Sequence, residues 1–288
     1  MIGAGHRPIE HEENAVPEAS IPAPMIMGVH GVLALHPWVD AETQDVFALA
    51  VRRTVAYGWS SFRASGPHSV RWGHNDAGGD WGQQGRDRRT GEGERVRQLA
   101  WLQVDVADAP PGQRLPVLPM ATVLGDALHR VGDFRLTGLH TVAPLYEAQD
   151  ARADLAVAAE WFALADPVGS AGFTVSVAGT KTADLQGRMP EILAAALESS
   201  YGQLTIEPES FDDATPESGL ALPLAGETEA GHLRYGQSFR CTAREWSLDC
   251  ATWVTEIVID ALRATGVTQP ALIKVSRTPC IGGTELVV

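Results

Sequence analysis

Trp101-Leu102-Gln103-Val104-Asp105-Val106 is the clearest alternation in the chain. Leu102, Val104 and Val106 share one side of an extended segment and Trp101, Gln103 and Asp105 the other, the period of two that a strand buried on one side requires. A sheet built on it has one apolar face and one polar face. Toward the C-terminus, Pro119 leads an apolar stripe at helical spacing, Val123, Leu124, Ala127, Leu128 and Val131, which Gly132 stops. Phe134 to Val142 alternates again, with Arg135, Thr137 and Thr141 opposing Phe134, Leu136 and Val142. Toward the N-terminus, Val32 to His36 is a short apolar strand ended by Pro37, and Asp40 is placed to cap a helix. Val46, Phe47, Leu49, Ala50, Thr54 and Val55 lie on one side of that helix, and Gly58 closes it. Ser60 to Ala64, resuming from His68 to Trp72, reads as the next strand, and the glycine-rich stretch Gly73 to Gly93 as a loop. The order is strand, helix, strand, strand, helix, strand.

The same order recurs between about Gly172 and Thr278. Phe173, Val175 and Val177 alternate with Thr174 and Ser176, and Thr182 precedes a helix carrying Leu185, Met189, Ile192, Leu193, Ala196 and Leu197. Pro190 inside that helix predicts a kink or a later start, because proline removes a hydrogen bond and clashes with the preceding turn. Leu204 and Ile206 alternate with Gln203, Thr205 and Glu207, and an acidic loop follows from Pro208 to Ala230. Phe239, Cys241 and Ala243 then oppose Ser238, Arg240, Thr242 and Arg244. Ser247 caps a helix bearing Cys250, Val254, Ile257, Val258, Ala261 and Leu262, Gly266 ends it, and Leu272 to Thr278 is the last strand.

The expected fold is therefore α+β: two tandem ferredoxin-like βαββαβ units, each an antiparallel sheet with both helices on one face, preceded by an extended N-terminal arm. The expected boundaries are an arm over residues 1–26, a first repeat over 27–147, a connecting segment over 148–168 and a second repeat over 169–288.

A net charge of -14 and a pI near 5.0 disfavour nucleic acid and anionic lipid, both of which require a basic footprint. Three cysteines, Cys241, Cys250 and Cys280, are too few and too oddly spaced for a disulfide framework or a zinc knuckle. No run approaches the roughly 20 apolar residues that cross a bilayer, so the expected location is cytoplasmic, with no cofactor, metal or membrane.

The alternation places Trp101, Gln103, Asp105, Arg135, Arg240, Arg244 and Lys274 on the polar faces, where they would line a cavity if the two sheets pack against each other. His68, Arg71, Trp72, His74 and Asp76 form the densest loop cluster of functional side-chain types. Asp105 and Asp108 stand at a strand end, and His36-Pro37-Trp38 puts an imidazole and an indole at the mouth of any pocket there. No phosphate loop, dinucleotide fingerprint or nucleophile elbow accompanies them. The function expected first is a non-catalytic interaction or assembly protein with a protein partner or a second copy. The second expectation is a cofactor-independent enzyme or small-molecule binder, of the cyclase or monooxygenase α/β-barrel kind, with its cavity between the sheets.

Overall fold

The computed structural model describes residues 24–40, 45–57, 73–79, 96–106, 114–208, 219–226 and 231–277. Among the described residues, eight strands run β1 (Met25–Leu35), β2 (Gly73–Gly78), β3 (Arg97–Asp105), β4 (Gly132–Ala143), β5 (Ala171–Gly179), β6 (Thr205–Pro208), β7 (Tyr235–Ala243) and β8 (Ala271–Arg277). The helices are α1 (Val46–Ala56), α2 (Val117–Val131), α3 (Arg152–Phe162), α4 (Leu185–Ser199) and α5 (Leu248–Ala264).

All eight strands belong to one antiparallel sheet in the order β2-β3-β1-β4-β8-β5-β7-β6. The expectation of two sheets is corrected here. β4 and β8 would each end a four-stranded sheet with unpaired N–H and C=O groups, and instead they pair with one another from Gly138 opposite Ser276 to Ala143 opposite Ala271. With one continuous sheet there is no space between two sheets for the expected cavity.

The main core lies between one sheet face and the helices. Met27 and Leu33 of β1, Leu102 and Val104 of β3, Phe173 and Val175 of β5, Phe239 of β7 and Ile273 of β8 are all buried in it. They pack with Met120, Leu124 and Leu128 of α2 and Ile257, Val258 and Leu262 of α5. Each such side chain contributes about 1.5–3 kcal/mol by leaving water. Gln103 and Arg240 alternate with these core residues and so occupy the other face, as the strand period requires.

Local signals moved by a few residues. β1 begins at Met25, inside the expected arm, and α1 is capped by Asp45, which accepts from the Phe47 N–H, in place of Asp40. Asp184, not Thr182, caps α4, and Pro190 lies within that helix. The expected strand over residues 60–72 lies outside the described residues; the strand present is β2.

One displacement matters more. The pairing of β1 with β4 shifts between His30 and Gly31, leaving Thr137 as an extra residue in β4. Such a bulge turns every later side chain to the opposite face. Leu136 points into the core before it, and Leu139 and Ala143 after it. Thr141, expected on the polar face, is therefore buried beneath the helices, where its hydroxyl has no hydrogen-bond partner among the described residues. His140 and Val142 turn the other way.

Candidate functional site

The far face of the sheet carries most of the residue types singled out from the sequence, aligned in rows by strand register. One row runs Gln103, Ile26, Val142, Leu272, Ala178. The next runs Trp101, Gly28, His140, Lys274, Ser176, Ser238. A third runs Gln98, His30, Gly138, Ser276, Thr174, Arg240. The first row is apolar at its centre, and the chain covers it. Leu220, Leu224 and Leu233 bury against Ile26, Val142, Ala178 and Leu272 in a second, smaller core. Segments 219–226 and 231–234 thus form a flap over the middle of a face that the sequence alone presents as polar.

Side chains from three strands bind the flap's backbone. Thr137 Oγ1 donates to the Gly219 carbonyl at 2.7 Å, and the Ala225 N–H donates to Gln98 Oε1 at 2.9 Å. Between these lies a histidine pair. The Ala221 N–H donates to His30 Nδ1 at 3.0 Å, His30 Nε2 lies 2.8 Å from His140 Nδ1, and His140 Nε2 lies 3.0 Å from the Ala225 carbonyl. The two ends fix the protons. An amide can only donate and a carbonyl can only accept, so His30 receives at Nδ1 and donates from Nε2 to His140, which donates from its own Nε2. Every ring nitrogen is satisfied only while both rings are neutral.

Burial pushes His30 down to about 2, with His140 adding to the effect. Burial likewise pushes His140 down to about 4, the Ala225 carbonyl opposing and the Lys274 charge adding. Both rings are fully buried, so the pair can neither reach a substrate nor exchange a proton with one at neutral pH. Its chemistry is that of a latch. Gly28 makes room for it: a Cβ there would run into the His140 ring.

The expected polar-face residues do not converge. Trp101, Gln103 and Asp105 are half-buried on β3, Lys274 stands beside His140 on β8, Arg135 is exposed on β4, and Arg240 faces Glu207 across β7 and β6. Five strand steps separate Asp105 from Arg240, about 24 Å at the usual interstrand spacing. Arg244 follows the end of β7 and donates from Nη1 to the Ala163 carbonyl just past α3, at 2.9 Å. Of the loop cluster, His68, Arg71 and Trp72 lie outside the described residues, as do Asp108 and Cys280. His74 belongs to β2 opposite Val104, and Asp76, exposed opposite Gln103, accepts from the Ala77 N–H.

Cys241 and Cys250 are buried in the main core, and burial raises both thiols, Cys250 to about 12. Neither is a nucleophile at neutral pH. Among the described residues no three His, Cys, Asp or Glu side chains come together as metal ligands, and no helix is long and apolar enough to cross a membrane.

Two surface features remain. His36 and Trp38 stack at 4.5 Å at the end of β1 and line a groove. On the connecting helix α3, Leu155, Ala159 and Phe162 face the core while Val157 and Trp161 face solvent, 67% and 64% exposed. Past the helix end, Leu164 and Val168 are exposed as well, at 79% and 86%. The sequence does not single out the His30–His140 pair, because the apolar run that marks its strand starts at Val32 and the β4 bulge hides His140. The alternation Ile26, Gly28, His30 was the available signal. Comparison with protein-family models, curated proteins and solved structures finds no match.

Proposed function

We propose that this chain is a non-catalytic interaction protein that docks a partner on α3. The observation carrying the proposal is the ridge of Val157, Trp161, Leu164 and Val168, between 64% and 86% exposed, on a segment whose opposite side is already committed to the core. Solvent-facing positions of an ordinary linker helix are polar, and four exposed apolar side chains within twelve residues, a tryptophan among them, have the composition of an interface core. Its surroundings specify the partner. Of the carboxylates in that segment, Asp154 pairs with Arg114 and Asp150 with Arg263, which leaves Glu160 and Asp166 as the charges beside Trp161, Leu164 and Val168. The complementary surface is an apolar helix face edged by Lys or Arg. A second copy fits less well, because it brings the same carboxylates, Glu160 and Asp166, to both sides of the contact.

The frame that presents α3 is read here as a fused ferredoxin-like pseudo-dimer. In favour of that reading, the elements β1-α1-β2-β3-α2-β4 recur as β5-α4-β6-β7-α5-β8. The strand order also mirrors about the β4–β8 junction, since β5, β6, β7 and β8 hold the places of β1, β2, β3 and β4. α3 belongs to neither half.

The test is calorimetric titration of the full chain with a helical Leu–Lys repeat peptide and with its Leu–Glu counterpart. Saturable binding of the basic peptide, weakened at least about tenfold in a Trp161→Ala/Leu164→Ser variant and absent with the acidic peptide, is the expected result. Equal binding by the variant overturns the proposal. Concentration-dependent dimers in light scattering that the variant abolishes would assign the ridge to a second copy instead.

A further inference from the structure

We propose that the groove between the end of β1, α1 and the last turn of α2 binds a small aromatic anion, a planar ring carrying a phosphate or carboxylate. The groove has a volume of about 470 Å³, within the usual range of small-molecule sites, and Leu49, Trp38, His36, Arg52, His129 and Arg130 line it.

The backbone frame is fixed. The His36 N–H donates to the Val131 carbonyl at 2.9 Å and the Val39 N–H to the His36 carbonyl at 3.0 Å, a turn that projects Trp38 from the strand end. One face of the indole stacks on His36 with 19° between planes, and the residue remains 76% exposed, which leaves the other face open to a second ring. His129 packs on Phe134 at 4.8 Å. A large indole held against an imidazole in open solvent contributes little to folding, whereas a ring-stacking platform needs that arrangement.

The charges point the same way. In a chain of net charge -14, the groove's described lining contains arginines and histidines and no carboxylate. Next to it, Arg53 is spoken for: its Nε donates to Asp126 at 2.7 Å, and Tyr57 donates to the same oxygen at 3.0 Å. Arg52 and Arg130 have no such carboxylate among the described residues. His129 and Arg130 are in the last turn of α2, where the helix dipole favours cations. That accounts for these two but not for Arg52 or Trp38. Two guanidinium groups that no carboxylate among the described residues occupies, beside an open indole, suit a planar ring with an anionic substituent, since guanidinium matches phosphate and carboxylate oxygens in pairs.

The experiment is calorimetric titration of the full chain with AMP, adenosine and inorganic phosphate at one fixed low salt concentration. AMP is expected to bind at least about tenfold more tightly than adenosine or phosphate. Trp38→Ala is expected to weaken AMP and adenosine together, and Arg52→Ala/Arg130→Ala to weaken AMP while leaving adenosine unchanged. These residues are exposed, and an unchanged melting temperature will show that the variants fold. Undetectable AMP binding at millimolar concentration overturns the inference, as does AMP affinity that neither variant changes. The Trp161→Ala/Leu164→Ser variant should bind AMP normally, so the groove and the α3 ridge stand or fall separately.

Discussion

Two histidine settings in this chain use the same imidazole for opposite ends. His30 and His140 are sealed beneath the flap with every ring nitrogen assigned, while His36 and His129 line an open groove in company with an exposed indole and two arginines. Residue type alone does not mark a site. Burial with complete hydrogen bonding converts a titratable group into a structural part, and a place on the wall of an open groove leaves one available for a ligand.

The largest consequence is a pH dependence that the sealed pair contributes and the open pair does not. Both folded values lie below the ordinary 6.5, so on acidification the unfolded chain takes up protons before the folded one does. The pair's stabilisation is fully present above pH 6.5 and is lost as pH falls below it, down to about 4 for His140 and about 2 for His30, at about 1.4 kcal/mol per ring per pH unit. Between pH 7.5 and pH 4.5 the loss is about 5 kcal/mol for the two rings. Urea unfolding across that range, compared with a His30→Gln/His140→Gln variant, isolates this contribution from that of the carboxylates. Parallel curves for the two proteins would remove the sealed pair's role.

Next in size is Gly28→Ala, which drives a methyl group into the His140 ring and separates it from His30 or Ala225. The expected cost is about 2–4 kcal/mol, from overpacking plus buried groups left without partners. Hydrogen exchange should show the Ala221 and Ala225 amides losing protection while α5 keeps its own. Leu220→Ala follows, at about 2 kcal/mol, because it empties part of the small second core and leaves the main one intact. The smallest effect belongs to the open pair. His36→Ala or His129→Ala should change stability by less than about 0.5 kcal/mol, measured by the same unfolding curves.

The contrast also shows what the sequence could reveal. Strands buried on one side announced themselves: Leu102, Val104 and Val106, and Phe173, Val175 and Val177, alternate with polar neighbours because one face meets the core and the other does not. β1 did not. Met25 to Val29 is buried on both faces, by the helices and by the flap, and its alternation disappears. The union of the sheet through β4 and β8 is a tertiary pairing of two edges that no local pattern encodes. The extra residue at Thr137 is invisible to a strict period of two, and it decides that His140 rather than Thr141 faces His30. Residues brought together across 110 positions leave no spacing to read. The groove was half legible, since His36 and Trp38 flank a proline at a strand end, while Arg52 and Arg130 arrive only through the packing of α1 against α2.

Long-range ¹H–¹⁵N spectra of the imidazoles at pH 5 test the sealed latch most directly. Two of the nine histidines, assigned through His30→Gln and His140→Gln, should remain neutral with the proton on Nε2 in the folded protein. Finding either ring protonated at that pH, or carrying its proton on Nδ1, would mean that the flap is held in some other way.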